Sequence, residues 1–304
     1  MATVSGFRGP RDASEKMMKL SGKKAIVTGA SQGLGLAIAT AFVREGAEVL
    51  ICARTESDLT AARQSILGQA PSNIRVVAEL VDVSSEADVG RLAHVAEELL
   101  GGVDVLVCNA GILGPKGPLD SVGWSDWEYT IAINLNGTVL CCRMLLPLLR
   151  RSERGKILLL SGGGATKPMP GLSAYAASKA AVVRFGETLA AELAASGIDV
   201  SCIAPGALNT RLLDEVLAAG PQAVGRSYYD ASVRQKQSGG ASLGEAAELC
   251  VYLASPQGDG ISGKLISAVW DPWRRLAEFR ADLRDTDIYT LRRIMPDDRG
   301  RSWK

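Results

Sequence analysis

The stretch that decides the fold, "KAIVTGASQGLG" at residues 24–35, begins with an apolar run typical of a strand buried on both faces of a sheet. The glycine-rich turn that follows opens an amphipathic helix, which we predict over residues 34–45. Gly29, Gly33 and Gly35 would let the backbone turn tightly and approach a diphosphate, and the helix N-terminus would offer free N–H groups. We therefore predict a nucleotide site at this turn. Its predicted contacts are Gly29, Ser31, Gln32, Gly33, Leu34 and Gly35.

The same alternation of apolar runs and amphipathic stretches continues along the chain. Seven strands are predicted, in the segments "KAIVTGA", "AEVLICAR", "IRVVAELVDV", "VDVLVCNAG", "GKILLLSG", "IDVSCIAPG" and "GKLISAV". Helices are predicted over residues 34–45, 57–67, 86–100, 125–151, 173–195 and 243–254. Strand–helix alternation of this kind builds right-handed βαβ units, so we predict an α/β fold with a Rossmann-like, doubly wound parallel sheet in a single domain. Such sheets bind ligands at the carboxyl ends of their strands.

The chain has 304 residues, and we place this domain at residues 20–269, between an N-terminal extension at 1–19 and a C-terminal extension at 270–304. Residues 207–240 are polar and contain glycine and tyrosine, which predicts a long substrate loop over the active face. The tail 270–304 is rich in arginine and aspartate. It could form a solvated helix, a subunit contact, packing on the sheet edge or a pocket wall for an anionic or sugar-like substrate.

Composition narrows the function. The net charge is +1, with 34 basic and 33 acidic residues, so no field of one sign points to nucleic acid or an anionic membrane. The six cysteines form no C-x-x-C pair and predict reduced core thiols rather than a metal site. The single histidine, His94, leaves few ways to build a Ser-His-Asp site. Without a signal-like or membrane-length apolar run, we expect a cytoplasmic protein.

The end of the second predicted strand bears on cofactor choice. An acidic residue there would bind the adenosine ribose, but the chain has Ala53 and Arg54. A guanidinium can hold a 2′-phosphate, which favours NADP over NAD, unless Arg54 merely starts a surface loop. Asp82 and Val83 end the third predicted strand and could meet an adenine edge. Asp82 could equally cap the helix that begins near Ser85.

The segment "YAASK" places Tyr175 and Lys179 on one face of a helix, four residues apart. The ordinary pKa of a tyrosine is about 10, which is high for proton exchange at neutral pH. An ammonium beside it favours the phenolate and lowers that pKa. The pair could exchange the proton of an alcohol or ketone while a nicotinamide carries the hydride.

Five motifs occur in one order: "TGASQGLG", "NAG" at Asn109–Gly111, "NLNG" at Asn134–Gly137, "YAASK", and "PG" at Pro205–Gly206. In this order the chain resembles the short-chain dehydrogenase/reductase family over roughly residues 20–269. The resemblance implies an NADP-dependent oxidoreductase that interconverts a secondary alcohol and a ketone in a small-molecule substrate. The family also implies a homodimer or homotetramer formed through the helices that carry Asn134 and Tyr175.

The resemblance also implies residue roles. Tyr175 is the acid/base, Lys179 lowers its pKa and holds the nicotinamide ribose, and Asn134 supports a water that links the lysine to solvent. The matching cofactor contacts are Asn109, Ala110 and Gly111 on the adenine–ribose side, and Pro205, Gly206 and Thr210 near the nicotinamide amide. Two of these have simpler alternatives, because Asn134 could only satisfy a helix kink and Thr210 could only cap a helix.

One position departs from the family pattern. The family's catalytic serine lies thirteen residues before the tyrosine, and here that position is Gly162. Ser161 could move into the slot through a one-residue insertion, Thr166 could reach in, or no side-chain hydroxyl serves. Ser173 is nearer in sequence, but we expect it to cap the helix that carries Tyr175. We favour Ser161 as the fourth catalytic residue. The departure keeps two other hypotheses open, a cofactor-binding protein with weak or no redox activity and an epimerase or eliminase with transient redox.

Overall fold

The structure, a computed structural model, describes residues 18–303, so most of the predicted N-terminal extension lies outside the described residues. Within that range seven strands form one parallel sheet in the order β3-β2-β1-β4-β5-β6-β7. The strands are β1 Lys24–Thr28, β2 Glu48–Ala53, β3 Val76–Leu80, β4 Val105–Cys108, β5 Gly155–Leu160, β6 Ile198–Ala204 and β7 Lys264–Ser267. The helices are α1 Gly33–Arg44, α2 Glu56–Leu67, α3 Glu86–Leu100, α4 Trp124–Ile131, α5 Gly137–Leu149, α6 Ser173–Leu193, α7 Arg211–Val224, α8 Arg226–Ser238, α9 Leu243–Ala254 and α10 Arg280–Asp285. The predicted doubly wound, Rossmann-like sheet is confirmed.

Each strand sends alternate side chains to the two faces of the sheet, and both faces are covered by helices. In β1, Val27 belongs to the cluster packed under α1 and α9, while Ile26 belongs to the cluster under α3, α5 and α6. The strand order reverses direction between β1 and β4, which pair in parallel with Val27 opposite Val107. The chain leaves these two strands toward opposite sides, so a crevice opens at their carboxyl ends.

The predicted loop at 207–240 is helical in the structure. Helices α7 and α8 occupy most of it and pack against each other. Gly220 has a φ of 78° and is followed by Pro221, which kinks α7, and Gly225 has a φ of 81° between the two helices. The polar composition that suggested a loop belongs instead to two short helices with wide exposed faces.

The C-terminal tail packs on the domain. Trp273 is buried and meets the Tyr252 ring edge-on at 5.7 Å, and Leu276 and Leu283 join the same core cluster. The backbone N–H of Leu265 in β7 donates to the carbonyl of Tyr289 at 2.8 Å. Of the alternatives for the tail, packing on the sheet edge is seen at Tyr289, and Trp270 and Asp271 line the large cavity at the carboxyl ends of the strands.

One continuous helical stretch, Trp124–Leu149, joins α4, a π-helical turn at Ala132–Asn136 and α5. It is long and apolar enough to cross a membrane by length and composition alone. In the structure it packs against α3 and α6, and Cys141, Leu145 and Leu149 are buried in the core. The stretch is therefore placed as a core helix of the domain.

Candidate active site

A cavity of about 1560 Å³ opens at the carboxyl ends of the central strands, between the glycine-rich turn and the helices α7 and α8. It exceeds the roughly 300–1,000 Å³ of an ordinary ligand pocket. It therefore has room for both an extended cofactor and a substrate. Of the residues predicted from sequence, Asp82 and Asn134 are the two that do not line it. Those that do are Gly29, Ser31, Gln32, Gly33, Leu34, Gly35, Arg54, Val83, Asn109, Ala110, Gly111, Ser161, Tyr175, Lys179, Pro205, Gly206 and Thr210.

Two of the glycines in the turn are required by its contact with the segment after β4. A β-carbon on Gly29, whose φ is 62°, would lie 2.7 Å from the α-carbon of Ala110. One on Gly35 would lie 2.5 Å from Nδ2 of Asn109. The Asn109 amide donates to the carbonyls of Thr28 and Gly29 at 2.9 and 3.0 Å. Asn109 therefore holds the turn in place with its amide N–H groups.

The N-terminus of α1 is open toward the cavity. Gln32 occupies the N-cap position without a side-chain hydrogen bond, and no acidic residue lies in the first turn. A β-carbon on Gly33 would lie 3.5 Å from Cγ2 of Thr210, across the space in front of the helix. Uncapped N–H groups facing a cavity suit an anion, so these residues fit the diphosphate of a dinucleotide.

At the predicted adenosine end of the site, Arg54 and Val83 line the cavity and Asp82 does not. Arg54 is exposed at the cavity wall and donates from Nη1 to the hydroxyl of Tyr129. Val83 lines the cavity, but the Asp82 carboxylate accepts from the backbone N–H and hydroxyl of Ser84 at 2.9 and 2.7 Å. Ser85, rather than Asp82, caps α3. Asp82 closes this turn through Oδ1, a role that its position after the third strand does not distinguish from an adenine contact.

Tyr175 and Lys179 lie together on α6, as the spacing predicts. The Lys179 ammonium is buried, lies 5.8 Å from the centroid of the Tyr175 ring and donates to the Leu160 carbonyl at 2.9 Å. Burial lowers the pKa of Lys179 to about 8. Burial, and secondarily the charge of Tyr228, raises the pKa of Tyr175 to about 12. This direction is opposite to the expected lowering by Lys179, because desolvation of the phenolate dominates.

Asn134 is fully buried in the π-helical turn, and its side chain joins three segments. Its Oδ1 accepts from the N–H of Ile112 at 2.8 Å, and its Nδ2 donates to the Ile112 carbonyl and to the Ser178 hydroxyl at 2.9 and 3.0 Å. Ser178 in turn donates to the carbonyl of Tyr175 at 2.7 Å. Asn134 therefore positions the helix that carries Tyr175.

Gly111 separates Asn134 from the lysine. A β-carbon on Gly111 would lie 3.2 Å from Oδ1 of Asn134 and 3.5 Å from Nζ of Lys179. The absence of a side chain at this position leaves the space between the amide and the ammonium open. A polar gap of this kind is suited to a bridging water.

The loop after β5 differs from the expected arrangement. Ser161 continues the sheet ladder, with its N–H donating to the Ile203 carbonyl at 2.8 Å, so no inserted residue shifts it into the slot at Gly162. Its Oγ is buried and has no hydrogen-bond partner among the described residues. Thr166 is exposed at the cavity wall. The expected cap at Ser173 is wrong, because Leu172 is the N-cap of α6 and the Ser173 hydroxyl accepts from the Trp127 indole at 3.1 Å.

Two tyrosines at the site were not predicted from sequence. Tyr129 is the partner of Arg54, and Tyr228 in the first turn of α8 lines the same cavity as Tyr175. No sequence signal pairs Tyr129 with a residue 75 positions away. The whole segment that contains Tyr228 was predicted to be a loop. The helix found there distinguishes Tyr228, which lines the cavity, from Tyr229, which does not.

Comparison with known proteins fits this geometry. The family model described as short chain dehydrogenase matches residues 23–219. The chain belongs to the short-chain dehydrogenase/reductase family. As a member, it is an oxidoreductase that binds a nicotinamide cofactor, NAD or NADP, and acts on a small molecule.

Similar proteins extend the match beyond the family core. The chain is 30% identical over 252 residues to Dehydrogenase/reductase SDR family member 4 from Sus scrofa, covering 83% of this chain and 88% of that protein. It is 39% identical over 193 residues to Glucose 1-dehydrogenase from Gluconobacter oxydans, covering 63% and 71%. The solved Pseudomonas aeruginosa RhlG/NADP active-site complex has a TM-score of 0.73 and 31% identity, covering 84% of this chain and 97% of that one.

Proposed function

We propose that this short-chain dehydrogenase/reductase interconverts a secondary alcohol and a ketone with NADP, using Tyr175 as the acid/base. The observation that carries the proposal is the buried Tyr175 phenol beside the Lys179 ammonium. The pair lies in the wall of a cavity that also contains the uncapped N-terminus of α1. A proton donor and a diphosphate site in one cavity are what this reaction needs from the protein.

When bound, the nicotinamide supplies or accepts the hydride. Tyr175 gives its proton to the ketone oxygen in reduction, and it holds that proton at neutral pH because burial raises its pKa to about 12. Lys179, fixed by the Leu160 carbonyl, lies where its charge can stabilise the phenolate left behind. Water in the gap beside Gly111, supported by Asn134, is our proposed route for returning a proton to the pair.

The preference for NADP rests on Arg54. Its guanidinium is exposed at the cavity wall just after β2, and Ala53 before it offers no carboxylate to bind a ribose. Tyr129 holds the guanidinium by a hydrogen bond, which reduces the entropy lost when the arginine binds a phosphate. The NADP complex among the similar solved structures supports the same choice.

Ser161 remains our predicted fourth catalytic residue. It lines the cavity, and its hydroxyl is not committed to any other described group. Ser161→Ala tests this role directly. A lower kcat with unchanged NADPH binding would support it, and an unchanged kcat would leave the strand end without a catalytic hydroxyl.

The decisive experiment is Tyr175→Phe, measured with NADPH against diacetyl, isatin and phenanthrenequinone, and with NADP against D-glucose. We expect the variant to bind NADPH as wild type does and to lose about 10²–10⁴-fold in kcat, the usual contribution of a positioned proton donor. Tyr229→Phe is the matched control, since Tyr229 packs in an apolar cluster beside Tyr175 and does not line the cavity. If Tyr175→Phe turned over as fast as wild type, the assignment of Tyr175 as the acid/base would be refuted.

A further inference from the structure

We propose that Tyr228 is a second substrate-contacting hydroxyl, which donates a hydrogen bond to the reacting oxygen from the wall formed by α8. Its hydrogen bond would act alongside the Ser161 hydroxyl, which lines the same cavity from the end of β5. The inference rests on the proposed alcohol–ketone function and adds a residue to it. It concerns a side chain for which the family motifs assign no role in this chain.

The position of Tyr228 suits a ligand contact. It lies in the first turn of α8, its carbonyl accepts from the Ser232 hydroxyl at 2.9 Å, and its side chain lines the cavity with 37% of the residue exposed. Its hydroxyl makes no hydrogen bond with any residue in the described range 18–303. The next residue, Tyr229, packs with Leu172 and Val216 instead. Two adjacent tyrosines thus have different surroundings, one apolar and one in the cavity.

Tyr228 and Tyr175 line the same cavity. After burial, the negative charge of Tyr228 is the second cause that raises the pKa of Tyr175. Burial raises the pKa of Tyr228 as well, so both groups are neutral phenols at neutral pH. Two neutral hydroxyls in one cavity can donate to the same oxygen atom.

A second hydrogen-bond donor would stabilise the charge that develops on the substrate oxygen during the reaction. As hydride adds to the carbonyl carbon, the oxygen gains negative charge, and hydrogen-bond donors aimed at it lower the barrier. Tyr175 transfers its phenolic proton to that oxygen to complete the alcohol, while Tyr228 donates a hydrogen bond and keeps its proton. Gly162 has no side chain to contribute, and a β-carbon there would lie 2.3 Å from the Tyr175 hydroxyl oxygen.

The test compares Tyr228→Phe with Tyr229→Phe, using phenanthrenequinone and saturating NADPH. Loss of one donor to a developing oxyanion costs about 10²–10³-fold in kcat, and we expect a loss in that range for Tyr228→Phe only. NADPH affinity should stay within about twofold of wild type. Tyr228→His, which keeps a donor, should recover part of the rate. Equal kcat in Tyr228→Phe and wild type, or equal losses in both phenylalanine variants, would overturn the proposal.

A second readout does not depend on turnover. The alkaline ultraviolet titration of the cofactor-free protein, with and without Tyr175→Phe, isolates the Tyr175 phenol. We expect Tyr228→Phe to lower the pKa of Tyr175 and Tyr229→Phe to leave it unchanged. An unaltered Tyr175 titration in Tyr228→Phe would show that the two hydroxyls are not neighbours and would overturn the proposal. Failure of the wild type to turn over any probe, with this titration shift present, would count against the proposed function alone.

Discussion

The backbone of Gly162 lies directly against the Tyr175 hydroxyl: an ideal β-carbon on Gly162 would be 2.3 Å from that oxygen, well inside the closest non-bonded approach. Glycine is therefore required at position 162 for the Tyr175 ring to keep its observed position. The phenol occupies the space that a serine side chain would enter. The two residues cannot both carry their family-typical side chains without a shift of the ring or the loop.

Gly162→Ser should therefore lower activity rather than restore a missing serine. The added side chain would displace the Tyr175 hydroxyl, and we expect at least about a tenfold loss in kcat and about 1–3 kcal/mol of destabilisation from overpacking. Gly163→Ser is the control, since a β-carbon on Gly163 meets nothing within 4 Å. Steady-state kinetics and urea unfolding measure both effects. A gain in kcat for Gly162→Ser would mean that the ring moves aside at no cost.

Arg54→Ala should weaken NADP binding and leave NAD binding nearly unchanged. Hydrogen bonds to a charged group are worth about 1.5–3 kcal/mol each, so we expect a roughly tenfold or greater rise in the Kd of NADP. Tyr129→Phe, which removes the partner of the guanidinium, should give a smaller rise in the same direction. Calorimetric titration with both cofactors is the measurement. Equal weakening for NAD and NADP would place Arg54 outside the 2′-phosphate site.

Alcohol oxidation should accelerate as the pH rises. Only the phenolate of Tyr175 can accept the alcohol proton, and burial raises the pKa of this group to about 12, so its deprotonated fraction grows about tenfold per unit across neutral and mildly alkaline pH. Ketone reduction needs the neutral phenol and should not gain in this range. Above about 8 the Lys179 ammonium also loses its proton, since burial lowers its pKa to that value. Profiles of kcat against pH in both directions test this, and an oxidation optimum at neutral pH would contradict it.

Breaking the ion pair between Lys116 and Glu215 should loosen α7 over the cavity. This 2.8 Å contact joins the segment after β4 to α7, and both side chains are more than half buried. We expect Lys116→Met to raise KM several-fold and to change the free energy of unfolding by no more than about 1 kcal/mol. Lys236→Met removes the 2.6 Å pair with Asp214, which joins α7 only to α8, and serves as the control. A KM that rises equally in both variants would argue against a tether.

Trp273→Ala should destabilise the protein far more than Trp270→Ala. Trp273 is 4% exposed, meets the Tyr252 ring and donates from its indole to the Ala268 carbonyl at 3.1 Å. Truncating a buried tryptophan costs about 3–5 kcal/mol. Trp270 is 84% exposed, so its removal should be nearly neutral for stability. Chemical denaturation gives the free energy of unfolding of both variants. An equally small loss of stability in both would mean that the tail is not part of the cooperative fold.

The sheet and much of the candidate site could be predicted from the sequence, because both depend on local signals. Helix α3 begins and ends where it was predicted, and the YAASK spacing placed Tyr175 beside Lys179. Apolar periodicity and i, i+4 spacing can be recognised from residues that are close together in the sequence, which is why these predictions succeed.

The predictions that failed depended on distant contacts. Ser173 has the identity of an N-cap, but Trp127, 46 positions away, donates to its hydroxyl. The direction of the Tyr175 pKa could not be foreseen either, because it depends on how deeply the folded chain buries the phenol.

The tail also has a bearing on how copies of this protein meet. The N–H of Leu265 is occupied by the Tyr289 carbonyl, so this part of the outermost strand has no free donor for the backbone of another molecule. A chain shortened before Trp270 would expose that strand as a template for intermolecular strand addition. The tail thus covers the outward N–H groups of Leu265 and Ser267, and it protects this edge of the sheet against edge-to-edge pairing.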